Sequence, residues 1–165
     1  MKTYVKIWTT ALISLFLMLS LHACKSKTET HVTDKGTVTI DREGEKADIT
    51  IETKEGESVK MSINQGTLPE GWPSEIKVLP GGTIIFSQTE AKSNMQQISI
   101  ETEESVNAAM DFYKDILNSG EWSIENTMNI GSMNMLTAKK DDREIMLQAV
   151  EAPGESKTHV QIIIK

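Results

Sequence analysis

Apolar and polar residues alternate in short runs along most of the chain. Three such runs follow residue 35, each with its Val, Ile or Met side chains on one side and glycine-containing polar turns between them: residues 37–41, 48–53 and 59–63. This period of two predicts a three-stranded β-meander over residues 36–64 with one apolar face. Because three strands are not stable alone, we expect the meander to pack on the remainder of the chain.

Proline and glycine interrupt this alternation over residues 65–82. Such residues break regular structure, so the segment is predicted to be a connector between the meander and a main domain. The segment contains Trp72, for which two interpretations stand. Either its ring fills the gap between the two units, or it is a contact for a partner protein, since tryptophan concentrates binding energy at interfaces.

The apolar period changes from two to 3.6 residues after residue 102. Apolar side chains recur with the spacing i, i+4, i+7 and i+11 at Val106, Met110, Tyr113 and Leu117. This spacing predicts an amphipathic helix of about four turns, with Tyr113 and Leu117 at the centre of its buried side. Thr102 is the predicted N-cap, and Gly120 is predicted to end the helix.

Six further runs of strand character surround this helix. Two precede it and four come after it: residues 83–89, 95–101, 122–128, 132–139, 143–150 and 158–164. The order strand-strand-helix-four strands predicts an α+β domain over residues 83–165. In this domain an antiparallel sheet is covered on one face by the single amphipathic helix, and the small meander precedes it.

Several residues of the connector and the helix form a recognisable combination. They are Leu68-Pro69, Trp72-Pro73, Pro80-Gly81, and Tyr113, Leu117, Gly120 and Trp122. The combination resembles a domain of uncharacterised bacterial lipoproteins, which has a Pro-rich lead-in, a Pro-Gly step and a helix ending Tyr-x-x-x-Leu-x-x-x-Gly-Trp. The resemblance covers residues 66–165 and departs from the pattern at the inserted Glu121 and at Gly82, where alanine is usual. It implies the fold and the lipoprotein class, and it transfers no functional residue.

The first 24 residues have the pattern of an export signal. Lys2 and Lys6 precede an apolar run that ends at Ala23, and Cys24 comes directly after it. A basic start, a short apolar middle and a small final residue are typical of a secretory signal. Leu-x-Ala-Cys resembles the bacterial lipobox, so residues 1–23 are predicted to be removed and Cys24 to carry the lipid. Residues 24–35 are then a polar tether, and the membrane is a partner through this lipid.

Charge and aromatic content narrow the classes of partner. Without Lys2 and Lys6 the chain has 15 basic and 24 acidic residues, a formal charge of −9. Nucleic-acid binding depends on clusters of Lys and Arg, so we expect no nucleic-acid partner. An exported, lipid-anchored chain at the cell membrane or outer membrane leaves an envelope protein as the expected macromolecular partner.

The sequence offers little for catalysis. After the signal only His31 and His159 remain as imidazole bases, the first in the tether and the second on the polar side of the last strand. A nucleophilic serine needs such a base within reach, and no Gly-x-Ser-x-Gly turn occurs. Asp141-Asp142 is predicted to be a hairpin turn rather than a carboxylate pair for glycoside hydrolysis. We therefore expect neither an enzyme nor a bound cofactor.

A group of methionines gives the single metal alternative: Met128, Met133, Met135 and Met146. Thioether sulfur selects Cu(I) among the common metal ions. Methionine also fills irregular gaps in cores, and these residues lie on strands that must bury one face. We therefore favour core packing and no metal site.

These observations favour a membrane-anchored envelope lipoprotein acting as a non-catalytic binding or scaffolding module. The alternatives are a periplasmic Cu(I)-binding protein that uses the methionines, and a small hydrolase with an unrecognised site.

Overall fold

The computed structural model describes residues 27–152, 154 and 156–165, which form ten strands and one helix. The strands before the helix are β1 (Lys27–Thr33), β2 (Gly36–Glu43), β3 (Lys46–Thr53), β4 (Ser58–Ile63), β5 (Thr83–Glu90) and β6 (Met95–Thr102). Helix α1 (Val106–Ser119) comes next, and then β7 (Ser123–Ile130), β8 (Met133–Lys140), β9 (Arg143–Glu151) and β10 (Thr158–Ile164). All nine predicted strands are present within two residues of their expected bounds.

The strands form one antiparallel sheet in the order β1-β2-β3-β4-β5-β6-β10-β9-β8-β7. The prediction of an antiparallel sheet with one helix is confirmed. The sheet is larger than expected, however, because β4 pairs directly with β5, from Val59 opposite Glu90 to Ile63 opposite Phe86. The predicted meander is therefore the continuation of the main sheet and not a separate small unit.

Strand β1 occupies part of the predicted tether, and that prediction is wrong for residues 27–33. Its pairing with β2 runs from Lys27 opposite Arg42 to Thr33 opposite Gly36. The segment lacks the apolar alternation that marks a half-buried strand, and nearly all of it is exposed. An edge strand of this kind is held by its backbone hydrogen bonds, and β-branched Thr suits it.

Helix α1 packs on β7, β8 and β9. Its buried residues are Ala109, Met110, Tyr113 and Leu117, so the predicted buried side of the helix is confirmed. The sheet supplies the other half of the core from alternate positions of five strands: Ile84, Ile98, Ile100, Leu136, Ala138, Ile145, Leu147, Ala149, Val160, Ile162 and Ile164.

The two ends of α1 differ in how well the sequence anticipates them. Ser105, and not Thr102, is the N-cap, because its Oγ accepts a hydrogen bond from the backbone N–H of Ala108 at 3.2 Å. Thr102 instead accepts from the N–H of Glu104 in the preceding turn. Gly120 does end the helix, and Glu121 then takes a left-handed conformation with φ of 61°. The residue inserted before Trp122 thus makes the reversal into β7.

The connector is an integral part of the core. Ile76 and Leu79 are almost fully buried in it. The backbone N–H of Leu79 donates to the hydroxyl of Tyr113 at 3.2 Å, and Trp72 Nε1 donates to the carbonyl of Ile76 at 2.7 Å. The connector between β4 and β5 is therefore bound to α1 and does not form a boundary between two units.

A bulge in β5 reverses the phase of its side chains. Ile84 lies opposite Ile100 and Phe86 lies opposite Ser99, so Ile85 is the extra residue. Ile84 is buried in the core on the helix side, whereas Phe86 lies on the other face. Ser87 returns to the helix side, opposite Ile98. A bulge of one residue has this effect because side chains alternate between the two faces.

The predicted signal and Cys24 lie outside the described residues. Within residues 27–152, 154 and 156–165, no helix has the length and apolar character needed to cross a bilayer.

Candidate functional site

The sheet has a helix side, which packs against α1, and an outer face. Directly opposed residues of neighbouring strands share a face. The opposed residues Ile63 of β4, Phe86 of β5 and Ser99 of β6 therefore belong to the outer face. The apolar residues of β2, β3 and β4 are in register with this row, so they lie on the outer face as well.

We call this group of side chains the β2–β5 patch: Val38, Ile40, Ile49, Ile51, Val59, Met61, Ile63 and Phe86. All eight are half-buried, and none belongs to the core or to the apolar residues packed against it. The expectation that the meander packs its apolar face on the main domain is therefore wrong. Polar residues occupy its helix side, where Thr39, Thr50 and Lys60 lie opposite one another.

A second apolar group lies on the outer face at the other end of the sheet. Met128 on β7 is directly opposite Met135 on β8, and Met133 is opposite Ile130 and Val150. Met146 on β9 is opposite Thr137 of β8. We call Met128, Met133, Met135 and Met146 the methionine patch. The expectation that these residues fill the core is wrong, because Leu136, Ala138, Ile145 and Leu147 take the alternating positions that face the helix.

Mostly polar residues separate the two patches across β5, β6, β10 and β9, and Ile163 of β10, opposite Gln97 and Met146, is the apolar exception. Gln88 lies opposite Gln97, and the row through Ser99 continues to Gln161 and Gln148. These residues are uncharged and half-buried. The outer face is therefore apolar at both ends and polar in the middle, whereas the core on the helix side is apolar throughout β6 and β8–β10.

His159 also lies on the outer face, on the side of β10 opposite Val160, Ile162 and Ile164, as predicted. Its Nε2 is 3.6 Å from Glu101 Oε2, and Lys157 donates to Glu101 Oε1 at 2.5 Å. The hydrogen bond from Lys157 and its charge hold the pKa of Glu101 below the usual range for a carboxyl group. His31 makes a similar contact on β1, with Nε2 3.7 Å from Glu29 Oε2.

These contacts place each imidazole beside a carboxylate and a lysine. Among the described residues, neither imidazole forms a hydrogen bond with a serine, threonine or tyrosine hydroxyl. Asp141 and Asp142 form the predicted turn between β8 and β9, where Asp141 has a φ of 54°. Over the part of the chain that the structure describes, no three His, Cys, Asp or Glu side chains are grouped closely enough to hold a metal ion.

A shallow groove of about 440 Å³ lies between the connector and α1. Phe112 and Ile116 supply its apolar wall, and Glu75 stands at its rim. Arg143 pairs with Glu75 at 3.0 Å and stacks over the indole ring of Trp122 at 5.1 Å. A hydrogen bond from its own backbone and the pairing with Arg143 lower the pKa of Glu75. The groove lies beside the buried Trp122. The contacts of Arg143 with Trp122 and Glu75 hold β9 against the connector.

The surroundings of Trp72 indicate that it packs within the protein and is not a contact for a partner. It is half-buried and packs against the core. Its Nε1–H is already satisfied by the carbonyl of Ile76. A connector residue held in this way supports the fold, and an interface anchor would need its ring to be free.

A family model for START domain-like proteins matches residues 85–157, which run from β5 through α1 to the turn that precedes β10. This part of the chain is similar to START domain-like proteins. The match covers 73 of the 165 residues and leaves the β1–β4 extension outside it. No curated protein and no solved structure matches the chain.

Side chains fill the space between α1 and the sheet. The side chains that meet there are packed so tightly that Tyr113, Leu117, Leu136, Leu147 and Ile162 are at most 1% exposed. Burial raises the pKa of Tyr113 to about 12, and the hydrogen bond that its hydroxyl accepts from Leu79 lowers the pKa by a smaller amount. The side chains of the β2–β5 patch and of the methionine patch take no part in this packing.

Proposed function

We propose that this protein is a membrane-anchored lipoprotein of the bacterial envelope that acts as a non-catalytic binding or scaffolding module. The observation that carries the proposal is the β2–β5 patch. Eight apolar side chains share one face of four strands, and no described element packs over them. Contiguous apolar surface of this kind marks a site of association with another protein or a membrane.

The position of the patch fits a lipid anchor at Cys24. Strand β1 begins at Lys27, so three peptide bonds link it to Cys24. Their maximum reach is about 11 Å. A lipid on Cys24 would hold the β1 edge, and with it the β2–β5 patch, close to the bilayer surface, where other envelope proteins are encountered.

The chemistry of the chain restricts the partner. The formal charge of −9 after removal of the signal disfavours nucleic acid and anionic lipid headgroups, both of which attract basic surfaces. The patch itself contains Val, Ile, Met and Phe and no charged side chain. An envelope protein with a complementary apolar surface is the partner that fits both properties.

A photoreactive amino acid placed at two adjacent positions tests this proposal. Ile49 lies in the β2–β5 patch, and Thr50 lies on the opposite face of the same strand. In intact cells we expect position 49 to give one adduct of defined mass, because only that side contacts a partner. We expect no such adduct from position 50, which has the same strand and the same distance from the membrane.

A second substitution makes the experiment specific to the surface. Ile51→Asp introduces a charge into the patch without touching the helix-side core, and it should abolish the adduct formed from position 49. Equal labelling from positions 49 and 50, or an adduct that survives Ile51→Asp, would contradict the proposed surface.

A further inference from the structure

We propose that the methionine patch is a Cu(I)-binding site built around Met135. This inference is independent of the proposed binding module, because it concerns the opposite end of the sheet. It rests on the placement of four thioethers on the outer face and on their mutual spacing. Core packing was the reason to expect no metal at these residues, and the structure removes that reason.

Met135 is the neighbour of each of the other three methionines. Met128 is directly opposite it on β7, where opposed Cβ atoms are about 4.5–5.5 Å apart. Met133 is two residues away on the same face of β8, a distance of about 7 Å. Met146 is diagonal to it across β9, where such neighbours are about 7–8 Å apart.

A methionine side chain can close these distances. It is unbranched, has three rotatable bonds, and carries its sulfur beyond Cγ, so sulfurs from neighbouring strands can converge above the sheet. Met128 is 42% exposed and Met146 is 38% exposed, while Met133 and Met135 are half-buried between them. An ion can therefore reach the sulfurs from solvent, and the sheet supplies a fixed base for them.

The choice of residue also points to ligand chemistry rather than to apolar surface alone. The β2–β5 patch on the same face uses mainly Val and Ile, which are the side chains that strands favour. At the four positions of the methionine patch on β7, β8 and β9 the residue is methionine and not Val or Ile, although methionine has no comparable preference for strands. Soft thioether sulfur prefers Cu(I), and hard divalent ions prefer oxygen and imidazole ligands.

The surroundings suit a soft monovalent ion. On the outer face the methionines adjoin the uncharged residues Thr137, Gln148, Asn126 and Ile163. The carboxylate of Glu144, two residues from Met146 on β9, lies opposite Lys139, which also pairs with Glu125 at 3.1 Å. Within the described strands no cluster of carboxylate or imidazole ligands competes for the ion at this place, so the site would discriminate Cu(I) from Zn²⁺.

The test is anaerobic titration of the full chain with Cu(I) in competition with a chromophoric Cu(I) chelator. We expect the protein to withdraw one equivalent of Cu(I) from the chelator, and Zn²⁺ not to compete. Met128→Leu combined with Met135→Leu should abolish this binding. Leu has a similar volume, so the variant should keep the melting temperature of the parent within a few degrees.

Two further methionines of the outer face provide a matched control. Met61 on β4 and Met95 on β6 lie outside the methionine patch, so Met61→Leu combined with Met95→Leu should bind Cu(I) as the parent does. Failure of the parent chain to compete with the chelator, or equal loss in the two double variants, would overturn the proposal.

NMR of the unmutated chain gives an independent reading that does not depend on any variant. With ¹³C-labelled methionine methyl groups, Cu(I) should shift the resonances of the four patch methionines. The resonances of Met61, Met95 and the buried Met110 should remain in place. Shifts confined to the last three residues would contradict a site at Met135.

Discussion

Leu117 lies at the centre of the contact between α1 and the sheet, and it is fully buried. One turn earlier Tyr113 is equally buried and makes an edge-to-face contact with Phe112, with ring centroids 5.0 Å apart. Asp111 and Lys114 lie on the other side of the helix and form an exposed ion pair at 3.2 Å. Burial and exposure therefore alternate along α1 at the scale of single residues.

We expect Leu117→Ala to lower the free energy of unfolding by about 2–5 kcal/mol, because it removes buried methyl groups and leaves a cavity. Asp111→Ala and Lys114→Ala should each change it by no more than about 0.5 kcal/mol, since exposed ion pairs contribute little. Chemical denaturation of the three variants measures the difference. Equal losses for Leu117→Ala and Asp111→Ala would mean that this side of α1 is not the core side.

The sequence locates the methionines without showing which face they occupy. In β8 the alternating positions are Met133, Met135 on one side and Leu136, Ala138 on the other. Both sets are apolar. The period of two shows that they lie on different faces, but it does not show which set faces α1. The decision comes from packing against the helix, where the short, closely fitting Leu and Ala side chains lie. Within β8 no local signal in the sequence could have made that choice.

Elements with a clear period were predictable, and those without one were not. Helix α1 and the nine alternating strands can be read directly from apolar spacing. Strand β1 has no such spacing, and Ile76 and Leu79 lie among prolines and glycines, so neither the strand nor the burial of these two residues could be anticipated. The pairing of β10 with β6 joins residues far apart in the sequence, and local patterns carry no information about it.

The N-terminus of α1 gives a prediction for a whole element. Ser105→Ala should lower the free energy of unfolding by about 1 kcal/mol, because the N–H of Ala108 loses the acceptor that caps the helix. Ser105→Asp should retain stability, since a carboxylate accepts the same bond and suits the positive end of the helix dipole. Thermal unfolding of both variants is the measurement, with the exposed Asn118→Ala as the control. A loss as large in Ser105→Asp as in Ser105→Ala would show that Ser105 does not act as the cap.

At the scale of the molecule, the helix side and the outer face of the sheet differ in where they are apolar. The helix side is apolar beneath α1, and the outer face is apolar from β2 to β5. The bulge at Ile85 lies where the apolar residues change from the helix side to the outer face. The alternation in β2, β3 and β4 predicts that each strand has an apolar face. Only the pairing of β4 with β5 determines that this apolar face lies on the outer face of the sheet. The β2–β5 patch was consequently beyond sequence reasoning, although all of its strands were predicted.

The proposed anchor affects the whole molecule. In Cys24→Ser the thiol that would carry the lipid is absent, so the chain should no longer incorporate labelled fatty acid and should leave the membrane fraction or persist as an uncleaved precursor. Metabolic labelling and subsequent membrane fractionation measure both effects. A serine variant that takes up as much label as the parent would refute lipidation at this position.

The position of β10 has a consequence for how the protein is made. This strand lies between β6 and β9 and supplies Val160, Ile162 and Ile164 to the core. Until it has been synthesised, β1–β6 and β7–β9 have no strand to join them, and α1 has an incomplete surface to pack on. Pairing such as that of Thr102 with Thr158 also closes a long stretch of chain, which slows folding. The domain therefore completes its core only when β10 has emerged, and a chain that is exported before folding would gain time to cross the membrane.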